Sequence, residues 1–228
     1  MSLTPRGPEA EVFADRAEAG RRLADALAAW RIDSPVILAL PRGGVPVACE
    51  IARRLDAPLD LILVRKIGTP NAPELAAAAV VDGPVPILVR NEDVLRAADV
   101  SESYLAREQA IKLEEIARRR QTYLAGRARP DLAGRAVIVV DDGIATGTTA
   151  LAALRAVRSS GAGRTILAVP VAPADTLERI GREVDDIVCL AAPENFSGVG
   201  QFYADFHQLS DEEVTALLDR AARPDGDE

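Results

Sequence analysis

The chain has 228 residues, of which 48% are hydrophobic and 27% charged, with a formal net charge of −8. That length and composition suit a globular chain with a sizeable core and exclude a disordered one. The acidic balance argues against a nucleic-acid or membrane-surface binder, and no apolar run approaches the ~20 residues that cross a bilayer.

All but Lys66 and Lys112 of the 27 basic residues are arginine, a bias we read as genomic base composition. An anionic ligand needs that positive charge to be gathered locally. The opening MSLTPRGPEAEVF lacks the apolar segment of a signal peptide, and the first ten or so residues, like the closing RPDGDE, are expected to be unanchored. Cys49 and Cys189 sit in apolar stretches at no metal-ligand spacing, as buried thiols of a cytoplasmic protein do.

Ala19, Leu23, Ala26, Leu27 and Trp30 fall on one helical face. PVILAL is a buried strand over 36–40, broken by PRGG and followed by a helix over 45–55. LDLILV is a second buried strand, ending at Arg65 and Lys66. IGTPNAP, rich in Gly, Pro and Asn, is a loop, and VPILV a short strand. A long helix covers 101–125, with Asp99 and Glu102 at capping-box spacing. Its RRR run, Arg118 to Arg120, reads as a solvated face. AVIVV is the third buried strand, followed by a helix to about 160. RTILAVPVA and DIVCLAA are two more strands, with a helix between them starting near 174. The last helix begins at Ser210, with Glu213 at capping-box spacing.

Continuous apolar strands alternating with helices predict an α/β fold, a mostly parallel sheet flanked by helices. Such sheets bind ligands beyond the carboxyl ends of their strands. PRGG, RKIG and DDGIATGTT are all expected at such ends, facing one crevice.

The richest stretch is AVIVVDDGIATGTTALAAL, residues 136–154. Ala145, Thr146, Gly147, Thr148 and Thr149 lie between a strand and a helix start, where unpaired N–H groups and about half a positive charge favour a phosphate. Neither a Walker A loop nor G-x-G-x-x-G is present. Asp141 and Asp142 would repel a phosphate unless they face another part of the same ligand. Carboxylates only accept hydrogen bonds, so the vicinal hydroxyls of a ribose are the natural partner. On these residues alone, acids that merely cap the next helix remain the alternative.

VIVVDDGIATGTT resembles the ribose-phosphate signature of the type I phosphoribosyltransferases. The resemblance implies that Asp141 and Asp142 hold the ribose hydroxyls of phosphoribosyl pyrophosphate (PRPP), and that residues 145–149 hold its 5-phosphate. Gly143 departs from the family, which usually has an aliphatic there. PRGG resembles the family's pyrophosphate loop, often built with a non-proline cis peptide, and places Arg42, Gly43 and Gly44 at the diphosphate. VRKIGTP resembles the adenine-enzyme motif VRKxGKLP, which adds Arg65 and Lys66; the motif's second lysine is missing, with Thr69 near its place. The chain also shares LPRGGV, PELA and VGQFY segments with a bacterial subgroup of the family.

By this resemblance the protein is a cytoplasmic, Mg²⁺-dependent enzyme that moves the 5-phosphoribosyl group of PRPP to a nitrogenous base and releases pyrophosphate. The acids Asp141 and Asp142 would meet the metal through water. Arg65, Lys66 and Glu74 are the candidate catalytic residues, although Glu74 also reads as a helix-start acid. Ala145 stands where enzymes of 6-oxopurines carry a third acid, which favours adenine-like or other bases. Residues 1–192 form the expected core, with a helical insertion over about 99–126 that is a candidate for dimerisation or for covering the site. Residues 193–228 form a hood and a last helix. In the hood, Phe196 is the candidate for base stacking, while Phe202, Tyr203 and Phe206 read as packing residues, as does His207. The alternative is a non-catalytic PRPP- or nucleotide-binding regulator of the same fold; neither nucleic acid nor membrane is an expected partner.

Overall fold

Short aliphatic runs with no polar face become strands covered on both sides. Five of them form one parallel sheet: β1 (Val36–Ala39), β2 (Leu59–Leu61), β6 (Ala136–Val140), β7 (Arg164–Val171) and β8 (Asp186–Ala191), in the order β2-β1-β6-β7-β8. The computed structural model describes residues 13–222 except 31, 84 and 125. The two chain ends expected to be unanchored lie outside the described residues, as does the last residue of the expected long helix.

Successive strand side chains point to opposite faces, and the sheet accordingly has two cores. Ile37, Ala39, Ile138, Val140, Ile166 and Ala168 pack beneath α1 (Arg16–Ala28), α2 (Gly44–Leu55) and α7 (Asp211–Ala221). Val36, Leu38, Val137, Val139, Leu167 and Val169 pack beneath α5 (Thr148–Ser159) and α6 (Ala174–Gly181). Each buried Val, Leu or Ile side chain among them contributes about 1.5–3 kcal/mol. Ser210 and Glu213 form a reciprocal capping box at the start of α7. No described helix is long and apolar enough to cross a membrane.

The main departure from expectation is LDLILV. It is not one strand: β2 ends at Leu61, Ile62 N–H donates to the Ala39 carbonyl at 3.0 Å, and the chain then leaves the parallel sheet. β3 (Val64–Thr69), β4 (Ala72–Val81) and β5 (Ile87–Arg90) form a separate antiparallel sheet. An unbroken aliphatic run has no residue to mark a change of strand partner. The predicted loop IGTPNAP therefore shrinks to a hairpin turn at Pro70 and Asn71, where Thr69 Oγ1 donates to the Ala72 carbonyl at 3.0 Å and accepts its N–H at 3.1 Å. PELAAAAVV is strand despite its alanines. Ala77, Ala78 and Ala79 are buried, and their small side chains let helices approach both faces.

A short helix, α3 (Glu92–Ala97), precedes α4 (Glu102–Leu124). Asp99 and Glu102 do not form the expected capping box. Ser101 Oγ accepts the Tyr104 N–H at 3.2 Å, while Glu102 pairs with Arg90 at 2.6 Å. Nor is RRR wholly a solvated face. Arg118 is exposed, but Arg120 bridges the buried Asp60, at 2.8 Å, and Asp82, at 3.0 Å. The stretch 193–207 is irregular apart from a 3-10 turn, Val199–Phe202. Phe13 N–H donates to the Phe202 carbonyl and Ala204 N–H to that of Phe13, both at 2.8 Å, so this stretch is tied to the segment that leads into α1.

Candidate functional site

Strand β6 delivers Asp141 and Asp142 to its carboxyl end. Asp142 N–H donates to Asp141 Oδ1 at 2.9 Å. Burial holds the Asp141 carboxyl well above the usual carboxylate range, and the Asp142 charge adds to the effect. Asp142 is also raised by burial, against the pull of the Arg16 guanidinium. Two crowded acids with so little compensation favour an added cation or hydrogen-bond donors.

The chain then turns into α5 through Gly147, whose φ of +69° suits glycine. No side chain caps this helix start, so its first-turn N–H groups have no side-chain partner. Behind the turn, α6 holds the carbonyls: Thr176 Oγ1 donates to that of Ala145 at 2.9 Å, and Arg179 Nη2 donates to that of Thr146. Across a planar trans peptide the N–H points opposite to the C=O, so the Thr146 and Gly147 N–H groups face away from α6. Ala145, Thr146 and Thr148 are exposed, Thr149 is partly buried and Gly147 is buried.

PRGG lies at the end of the neighbouring strand β1, and the bond between Pro41 and Arg42 is cis. This loop adjoins the acids directly. A β-carbon on Gly43 would collide with the Asp142 carboxylate, and one on Gly44 would stand 2.6 Å from the Val140 carbonyl oxygen. Arg42 Nη1 is 3.7 Å from Asp211 Oδ1, which also accepts from Tyr123 Oη at 2.5 Å.

Arg65 and Lys66 do not occupy the expected end of a parallel strand. They lie within β3, where alternation sends them to opposite faces. Arg65 is on the α4 side, its Nε 3.6 Å from Glu115 Oε2, and Lys66 is exposed on the other side. Glu74 is exposed on β4 near the hairpin turn and starts no helix.

Several contacts at the acids come from distant segments, and of their residues Arg16 and Val199 carry no signal in the sequence. Arg16, at the start of α1, donates through Nε to Asp142 Oδ2 at 2.8 Å and through Nη1 to the His207 carbonyl at 2.9 Å. Its guanidinium carbon stands 3.9 Å from the centre of the Phe206 ring. Tyr203 Oη donates to the Asp142 carbonyl at 2.5 Å. Val199 explains the family departure at Gly143, since a β-carbon there would come within 2.5 Å of a Val199 methyl. The space of the usual aliphatic is taken by the 3-10 turn Val199–Phe202. Phe196 is half-buried and stacked on the buried Phe202, with ring centres 5.6 Å apart. His207 is exposed and meets Asp205 at 3.1 Å and Glu213 at 3.2 Å. In sequence, the aromatics of 193–207 marked this segment, and Phe202, Tyr203 and Phe206 pack as expected.

The chain belongs to the phosphoribosyl transferase domain family, whose pattern residues 15–207 match. It is 46% identical over 213 residues to the "Putative phosphoribosyl transferase Rv0571c" of Mycobacterium tuberculosis strain H37Rv, and equally to MT0597 of strain CDC 1551. These alignments cover 93% of this chain and 48% of each relative, so the chain spans about half the length of the curated relatives it matches. The crystal structure of TT1426 from Thermus thermophilus is 44% identical, with a TM-score of 0.81 over 93% of this chain and 100% of that one.

Proposed function

We propose that the protein transfers the 5-phosphoribosyl group of PRPP to a nitrogenous base and releases pyrophosphate. One observation carries the reading: Gly43 of PRGG lies against the carboxylate of Asp142. A single ligand can therefore have its sugar at the acids and its diphosphate at the neighbouring loop.

In this reading Asp141 and Asp142 accept hydrogen bonds from the ribose hydroxyls. The 5-phosphate sits on the uncapped start of α5, held by N–H groups and the hydroxyls of Thr146, Thr148 and Thr149. Arg42 and Arg65, with the backbone at Gly43 and Gly44, hold the diphosphate and stabilise the charge that develops on it as it departs. Lys66 and Glu74 belong to the β3–β4 hairpin and act on the reacting groups from that side. Phe196 stacks on the base. The segment from Pro193 onward serves as the hood, with Arg16 and Tyr203 fastening it to Asp142.

Among the described residues no three His, Cys, Asp or Glu side chains converge into a metal cage. Two adjoining carboxylates still fit Mg²⁺, which commonly takes one or two of them alongside waters and substrate phosphates. Asp141 and Asp142 would hold it through water. When bound, the ion supplies neutralisation of the diphosphate charge.

The test is a panel of purine, pyrimidine and other nitrogenous bases, assayed for pyrophosphate release from PRPP with Mg²⁺. Release with one base class establishes the transferase. PRPP binding without release from any base would favour a regulatory binding protein, and no binding of PRPP would remove both readings.

A further inference from the structure

Helix α4 turns a charged face toward the diphosphate side. Lys112, Glu115, Arg119 and Tyr123 recur at three- and four-residue spacing and share that face. Two of them have fixed partners across the site. Glu115 lies 3.6 Å from Arg65 and 2.7 Å from Lys112, while Tyr123 donates to Asp211, the acid beside Arg42. Arg119 is one helical turn from each and so stands between the Arg65 and Arg42 groups. It is half-buried, and among the described residues no carboxylate lies within 4.0 Å of it.

The local charge is unbalanced. Among the described residues the carboxylates within 4.0 Å of Arg42, Arg65, Lys112 and Arg119 are Glu115 and Asp211, two acids for four cations in a chain of net charge −8. Arg65 registers it: burial first, then the Arg119 charge, hold its guanidinium below the usual range. Like-charged side chains gathered with too few acids suit a polyanion, and a diphosphate matches forked guanidinium donors.

We propose that Arg119 binds the diphosphate of PRPP together with Arg42 and Arg65, which makes the helical insertion part of the site. The proposal rests on the PRPP reading above.

The test is calorimetric titration of the full chain with PRPP, inorganic pyrophosphate and ribose 5-phosphate, in the presence of Mg²⁺. Wild type, Arg119→Gln, Arg119→Lys and the exposed control Arg118→Gln are compared. Arg119→Gln is expected to weaken PRPP and pyrophosphate about tenfold or more, the loss of a charge-assisted contact, and to leave ribose 5-phosphate unchanged. Arg119→Lys should fall between, and Arg118→Gln should match wild type. Equal loss for all three ligands, or pyrophosphate affinity within about twofold of wild type, overturns the role of Arg119 while the PRPP reading stands. A wild type that binds neither PRPP nor ribose 5-phosphate overturns both. If Arg119→Gln does not fold, Arg119→Lys decides: selective weakening toward pyrophosphate supports the proposal, and unchanged affinity for all three overturns it.

Discussion

The protein holds two pairs of aspartates, one buried and one partly buried, and treats them differently. Asp60 and Asp82 meet two guanidiniums. Arg120 bridges both, and Arg129 reaches Asp82 Oδ1 at 2.6 Å, so two negative charges meet two positive ones. Among the described residues Asp141 and Asp142 share one cation, Arg16, 2.8 Å from Asp142 Oδ2, and both carboxyls are pushed up by burial. The first pair joins α4 to β2 and to the end of β4, and its charges are matched even though Asp60, Asp82 and Arg129 line a cavity of about 380 Å³. The second sets two carboxyls against one guanidinium, the kind of imbalance that marks a candidate ligand site.

That contrast can be broken by removing the cations. Arg120→Ala leaves two buried carboxylates with Arg129 alone and should cost about 3–5 kcal/mol, the usual penalty for orphaning a buried charge. Urea unfolding measures it. Arg16→Ala should cost less, about 1–3 kcal/mol, because the Asp142 side chain is 14% exposed against 4% for Asp82, and water can replace part of the contact. If both substitutions cost the same, Asp142 is as structural as Asp60 and the distinction fails. Because Arg16 also holds the His207 carbonyl and covers Phe206, part of its loss will appear as loosening of the hood rather than of the sheet.

How much of this was legible in sequence follows from how far apart the interacting residues lie. Most of the parallel sheet was readable because β1, β6 and β7 are largely aliphatic runs, each followed by a helix. The antiparallel sheet was not, since LDLILV changes partner at Ile62 and Leu63 with no Gly, Pro or polar residue to mark it. Alanine at 76–79 likewise disguised β4, where tight packing outweighs its weak strand preference. The stretch 141–149 was readable as a unit because strand end, acids and helix start are contiguous. Arg16 was not, for it meets Asp142 across 126 positions and looks like any charge at a helix start. Arg119 and Arg120 looked like one solvated run, and only the packing of α4 separates a guanidinium with no carboxylate within 4.0 Å among the described residues from one locked between acids.

The smallest effect gives the sharpest test of the acid pairs. In the folded protein Asp141 holds its proton more tightly than the ordinary value of 3.8, chiefly through burial and then through Asp142. The native state therefore binds more protons than the unfolded chain above that pH, and stability falls as pH rises through the raised range. Asp141→Asn removes this titration and relieves Asp142, while the amide oxygen can still accept the Asp142 N–H. Near pH 4, where the wild-type carboxyl is largely protonated, the two proteins should be about equally stable. Near pH 7.5 the variant should be more stable by about 0.5–2 kcal/mol, with PRPP affinity lost, as expected when a strained functional site is relaxed. Urea unfolding across that range, read as the difference between the two proteins, cancels the other titrating groups. A variant less stable at every pH would place Asp141 beside Asp60 and Asp82 as a structural acid.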